Sequence, residues 1–180
     1  MSSQKPEILT TSTVAESRLF TIEGLHLRFA NGVERHYERL KGRATGSVMV
    51  VPMLDEQTIL LVREYGAGVD QYTLGFPKGA MEANEDLFAT ANRELMEEVG
   101  YGARDLVALK KMCLSPGYME SASHLVLARD LYPQQELGDE PEPIDVVPWK
   151  LDAIDTLLNH PEFYEARSIA ALLLLLRHLA

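Results

Sequence analysis

Three glutamates crowd one stretch of this 180-residue chain: Glu94, Glu97 and Glu98, within GAMEANEDLFATANRELMEEVGY, Gly79 to Tyr101. On a helix Glu94 and Glu98 lie one above the other, and like charges at that spacing cost about 0.2–0.5 kcal/mol. Arg93, four residues before Glu97, can relieve one of these charges but not all three. The crowding has two readings. The ordinary one is a solvated acidic face. The other is a carboxylate cluster built for a hard divalent cation. Mg2+ takes a few oxygen ligands from a protein and completes its octahedron with water and substrate phosphate.

The elements around the cluster follow from periodicity. Leu87, Ala91, Leu95 and Val99 recur every four residues, which predicts one helix over Asp86–Val99 with an apolar stripe. The charges Arg93, Glu94, Glu97 and Glu98 are expected off that stripe. Glu82, Glu85 and Asp86 gather at its start, where the helix dipole favours negative charge, and Gly100 follows as a left-handed cap. Upstream, Leu25, Leu27 and Phe29 alternate with polar residues. Asn31-Gly32 then predicts a tight type I′ hairpin turn, with Val33–Leu40 as the return strand. SVMVVPML, TILLVREY and QYTLGFP read as strands, as do LVALKKMCLSP and SHLVLARDLYP. QQELGDEPEPID is an acidic loop, and residues 151–159 and 164–179 are helical. Strands, one central helix, more strands and closing helices predict an α/β (α+β) sandwich with a mixed sheet.

The stretch from Gly79 resembles the signature of the Nudix hydrolases, G-x5-E-x7-R-E-U-x-E-E-x-G-U, in which U is a bulky aliphatic. Gly79, Glu85, Arg93-Glu94-Leu95, Glu97-Glu98 and Gly100 stand at the required places, and only Tyr101 departs, where an aliphatic is usual. Pro116, in SPG, lies sixteen residues beyond Gly100, as in the ADP-ribose pyrophosphatase branch. The approach REYGAGVDQYTLGFPKG, the acidic loop GDEPEPIDVVPW and the closing YEARSIAALLLLL are also similar to that branch. Gly66, Gly75 and Ser121 replace an Arg and two Glu that many of its members carry. These departures suit a group within the branch that accepts ADP-ribose, NADH and short diadenosine polyphosphates.

The resemblance implies a Nudix-type α/β/α sandwich over residues 46–180. It also implies an N-terminal antiparallel hairpin extension over residues 1–45 that makes a homodimer. The implied activity is Mg2+-dependent hydrolysis of the pyrophosphate bond in ADP-linked compounds with release of AMP. Mn2+ is a possible substitute. Another nucleoside diphosphate-sugar or a nucleoside triphosphate is the alternative substrate. Glu94, Glu98 and Glu97 would hold the metal, with the backbone carbonyl of Lys78. Glu85 and Arg93 would form a structural pair, and Gly79 would let the backbone turn close to the metal. Matching the branch's acidic loop makes Glu142 the first candidate for general base and Glu140 the second; Glu97 is the alternative from other branches. Arg63 and Arg39 are candidates for phosphate contacts, and Tyr37 and Tyr118 for stacking on adenine. Each of these four could equally serve in ion pairs or packing.

Bulk composition bounds the partners. A formal net charge of -10 argues against sequence-independent binding of nucleic acid or of an anionic membrane. A phosphorylated small molecule stays possible when a metal or a local Arg meets its phosphates. The single cysteine, Cys113, permits no intrachain disulfide and suits a reducing cytoplasm. The first twenty residues lack the apolar core of a signal peptide, and IAALLLLL is too short to span a bilayer.

Overall fold

A computed structural model describes residues 4–42, 45–138 and 141–180. The chain forms two compact units, residues 1–44 with 113–122, and residues 45–112 with 123–180.

The first unit is a three-stranded antiparallel sheet of β1 (Glu7–Glu16), β2 (Thr21–Arg28) and β3 (Glu34–Leu40), in that order. β1 is a strand that the apolar pattern did not announce. Nine of its ten residues are exposed, so no alternation marks it. The hairpin between β2 and β3 falls at Asn31-Gly32, but its turn is not type I′. Only Gly32 has a positive φ, 80°, and its N–H bonds to the Phe29 carbonyl at 2.9 Å while Phe29 N–H reaches the Val33 carbonyl. The Asn31 side chain accepts from Val33 N–H at 3.1 Å. That is a longer loop with one left-handed glycine, because the Asn31 amide is spent on the backbone ahead.

The second unit is built on a seven-stranded mixed sheet. Its main path runs β10 (Asp145–Lys150), β5 (Thr58–Gly66), β4 (Ser47–Asp55), β9 (Ser123–Pro133), β8 (Tyr101–Met112). β6 (Gln71–Gly75) pairs with β5, and β7 (Lys78–Ala80) with β4. The β4–β9 pair is parallel and the other pairs are antiparallel. Strand β10 corrects the reading of the acidic segment: the loop gives way to a strand at Asp145, where β5 offers a free edge.

The central strands are apolar on both faces because both are covered. Val48, Val50, Leu60, Val62, Val126 and Ala128 share one core with Ala91, Leu95 and Val99 of α1 (Leu87–Val99). Met49, Val51, Ile59, Leu61, Leu125 and Leu127 share the other with helices α2 (Ile154–Leu158) and α3 (Ala166–Leu179). The α2 helix follows a single 3₁₀ turn, Leu151–Ala153. The result is an α/β/α sandwich. The predicted stripe is the face that packs: Leu95 is fully buried, worth about 1.5–3 kcal/mol.

Helix α1 begins where Asp86 caps it, its carboxylate accepting from Phe88 N–H at 2.9 Å and Ala89 N–H at 3.3 Å. It ends at Gly100, left-handed with φ 79°. Of the two readings of the crowded acids, the solvated face is the one that fails. Glu94 and Glu98 are not a solvated face; each is only 6% exposed, as enclosed as Met96. Strand β7 covers them, with Gly79 against Glu94 and Lys78 N–H on Glu98.

Candidate active site

Strand β7 sets Gly79 opposite Val48 of β4, directly under α1. A Cβ on Gly79 would sit 1.8 Å from the carboxyl carbon of Glu94. The glycine is therefore required as an empty space for that carboxylate. It has no positive φ, so what it supplies here is that space rather than a left-handed turn. One helical turn on, Glu98 accepts from the Lys78 backbone N–H at 3.3 and 3.4 Å. The Lys78 ammonium reaches out to Glu64 at 2.6 Å.

Arg93 ties this junction together. Its guanidinium meets Glu85 at 3.0 Å, Glu94 at 2.8 Å, Glu97 at 3.0 Å and the Ala80 carbonyl at 3.1 Å. The guanidinium beside Glu85 holds that carboxyl down at about 2, and the acids in turn push Arg93 above its ordinary value. Glu98 receives no such help. Burial pushes its carboxyl up to about 8; the Lys78 charge opposes this, while the Glu64 and Glu94 carboxylates add to it. Among the described residues, no three carboxylates or imidazoles stand gathered at liganding distance. Arg93 draws Glu94 and Glu97 towards itself, while Glu98 stays on Lys78 N–H.

Two cavities adjoin the junction. One, about 460 Å³, is lined by Glu97, Glu98, Gln135, Glu136 and Glu142. The other, about 360 Å³, is lined by Arg63, Glu64, Tyr65, Tyr72, Glu142 and Asp145. Glu142 lines both. Its loop is pinned to the C-terminal end of α1. Glu136 N–H bonds to the Met96 carbonyl at 3.2 Å, Gln134 N–H to Gly100 at 3.1 Å, and the Gln135 amide to Glu97 at 3.0 Å. These donors satisfy carbonyls that a helix end leaves open. Beyond Glu142, Asp145 makes an ion pair with Arg63.

The structure thus brings Glu97, Glu98 and Glu142 to one cavity. Glu140 lies outside the described residues. Arg63 shares a cavity with Glu142 but is tied to Glu162 at 2.9 Å as well as to Asp145. Arg39, Tyr37 and Tyr118 belong to the first unit, where they share a different cavity of about 440 Å³ with Leu25 and Leu27. There Arg39 is held by Glu23 at 2.8 Å. Sequence reasoning missed Glu64 and Tyr72. Glu64 was within reach: alternation along TILLVREY sets it on the same face as Leu60 and Val62, which pack against α1. Tyr72 gave no sequence signal.

The donor set is one that fits a metal. Buried charges are paired or coordinate metal; here Glu94 and Glu98 are buried, Glu94 beside Arg93 and Glu98 on the Lys78 backbone N–H, while the Lys78 ammonium turns to Glu64. A hard divalent cation is the counter-charge that these oxygens suit.

Comparison with known proteins identifies the family. Residues 44–172 match the family model of the NUDIX domain. The chain belongs to the Nudix hydrolases, a pyrophosphohydrolase class whose members use a divalent metal. A second model, the NudE-type Nudix hydrolase N-terminal domain, matches residues 6–39. The ADP compounds hydrolase NudE of Escherichia coli (strain K12) is 49% identical over 171 residues, 95% of this chain and 91% of that protein. The ADP-ribose pyrophosphatase of Bacillus subtilis (strain 168) is 29% identical, covering 91% of each. A crystal structure of an ADP compounds hydrolase superposes with a TM-score of 0.93 at 48% identity, over 99% of this chain and 96% of that one.

Proposed function

We propose that this protein hydrolyses the pyrophosphate bond of ADP-linked compounds, namely ADP-ribose, NADH and diadenosine polyphosphates, and releases AMP. The observation that carries the reading is the pair of buried carboxylates, Glu94 against Gly79 and Glu98 on Lys78 N–H, beside a cavity that Glu142 also lines. The names of its relatives support the substrate class.

Glu94, Glu98 and Glu97, with the backbone carbonyl of Lys78, would hold Mg2+, for which Mn2+ can substitute. When bound, Mg2+ supplies positive charge to a diphosphate and lowers the pKa of water. Glu142 takes the proton from the attacking water; Glu140 and Glu97 are the other candidates. The Glu85–Arg93 pair, closed on the Ala80 carbonyl, keeps β7 against α1 and so keeps Gly79 under Glu94. Arg63 and Arg39 contact phosphates by exchanging their present carboxylate partners. Tyr37 and Tyr118, 45% and 58% exposed, offer faces for adenine.

Residues 1–45 form an extension that joins two copies into a homodimer, while residues 46–180 form the hydrolase domain. No helix among the described residues is long and apolar enough to cross a membrane. The formal net charge of -10 suits small nucleotides met through a metal rather than nucleic acid or an anionic membrane, and we assign the enzyme to the cytoplasm.

The test is a substrate panel. ADP-ribose, NADH, a diadenosine triphosphate, dGTP and UDP- and GDP-sugars are incubated with the enzyme, with and without Mg2+, and products are separated. AMP from the three ADP compounds, only with metal, is the expected result. Turnover confined to dGTP or to the other sugar nucleotides overturns the substrate assignment.

A further inference from the structure

The Tyr72 hydroxyl donates to Glu142 Oε1 at 2.6 Å. Both side chains line the cavity that also holds Arg63 and Glu64. Glu142 lies on a loop, three residues before β10, and a glutamate there loses side-chain freedom whenever it must act. Tyr72 is on a strand and is itself braced. It stands directly across from Tyr65 in the β5–β6 register, with the rings edge to face and 5.7 Å between centroids. Tyr65 donates to Asp70 at 2.5 Å, and Asp70 holds the β5–β6 turn through its N–H to the Gly66 carbonyl at 2.9 Å. A chain of contacts therefore runs from the hydrogen-bonded β5–β6 turn through two tyrosines to one carboxylate. On the far side of Glu142 the Arg63–Asp145 pair anchors the start of β10. Glu142 is thus held from two directions.

We infer that Tyr72 is a positioning residue for this hydrolase: its phenol fixes the Glu142 carboxylate in the orientation in which it receives the proton of the attacking water. The inference rests on the reading of Glu142 as general base. A hydroxyl aimed at a carboxylate leaves its second oxygen free to accept, so Tyr72 orients the base without blocking it. Tyr72 itself touches no reacting atom.

The test uses Tyr72→Phe in the full-length protein, which keeps the ring and its contact with Tyr65. With ADP-ribose and Mg2+, kcat is expected to fall about tenfold, a loss of about 1.4 kcal/mol, with KM changed less than about twofold. In a Glu142→Gln background the same substitution is expected to have no further effect, because there is no base left to orient. Unchanged kcat, or equal losses with and without Glu142, overturns the inference. A second readout needs no turnover. The hydrogen bond to Glu142 pushes the Tyr72 phenol above its ordinary value. In NMR titrations of enzyme carrying 13C-labelled tyrosine, the resonance missing from Tyr72→Phe should titrate lower in Glu142→Gln. No movement there refutes the contact itself. Movement combined with full activity of Glu142→Gln refutes the general-base reading and the orienting role together, while the pyrophosphohydrolase class stands.

Discussion

Gly79 and Glu94 occupy the same space by agreement: the glycine lacks the one carbon that would collide with the glutamate's carboxyl group. The contact joins a strand that leans on the sheet to a helix that covers it. It explains why a glycine opens the fifteen residues that lead to Glu94, although its backbone is an ordinary strand. It also makes the position of the Glu94 carboxylate sensitive to a single methyl group.

Gly79→Ala is therefore expected to displace the Glu94 carboxylate by about an ångström or more. Misplacement on that scale costs roughly 100-fold in rate. The check is kcat/KM for AMP release alongside the affinity for Mn2+ measured calorimetrically. An alanine variant with both values intact would remove Glu94 from the ligand set.

Metal should stabilise the folded protein through Glu94 and Glu98. A ligand present at 100 times its Kd adds about 2.7 kcal/mol. For a chain of this size that is a rise in Tm of roughly 5–10 °C. Glu98→Gln is expected to abolish this rise and to lower kcat at least about 100-fold, while the metal-free variant folds no less stably than the parent. Thermal scans with and without Mg2+ decide it; a Glu98→Gln protein that still gains several degrees from metal speaks against the assignment.

Arg93 carries three carboxylates, Glu85, Glu94 and Glu97, all of them largely enclosed. Arg93→Met keeps the stem and leaves those charges facing one another. The expected loss is about 3 kcal/mol in denaturant unfolding of the metal-free protein. Saturating metal should recover part of it. A loss below about 1 kcal/mol would show that the network is not what holds β7 to α1.

The Glu85–Arg93 bond has a pH signature. The Glu85 carboxyl is depressed from 4.5 to about 2, mainly by its hydrogen bond to Arg93. A group whose folded pKa is lowered stabilises the fold above its unfolded value and loses that contribution as pH falls through its folded value. The stability gap between the parent and Glu85→Gln should be full above about pH 5, shrink below 4.5 and vanish near pH 2. Urea melts at a series of pH values measure it, and a gap that stays constant from pH 6 to pH 3 contradicts the pairing.

What local chemistry can encode was legible in the chain. The four-residue recurrence from Leu87 to Val99 set α1 and its buried stripe, Asp86 and Gly100 set its ends, and the apolar runs set strands β4, β5 and β9. The residues from Gly79 through Glu98 match the Nudix signature, and that resemblance, not the spacing alone, pointed to the chemistry. Strands β1 and β10 were not legible: one is exposed along almost its whole length, and the other exists because an edge of β5 was open to it. The burial of Glu94 and Glu98, the fourfold grip of Arg93, and the meeting of Tyr72 with Glu142 seventy residues further on were decided only by the packed fold. Periodicity reports which face of an element is apolar. It carries no information about which distant segment will cover that face, and here that covering sets the burial and pairing of Glu94 and Glu98.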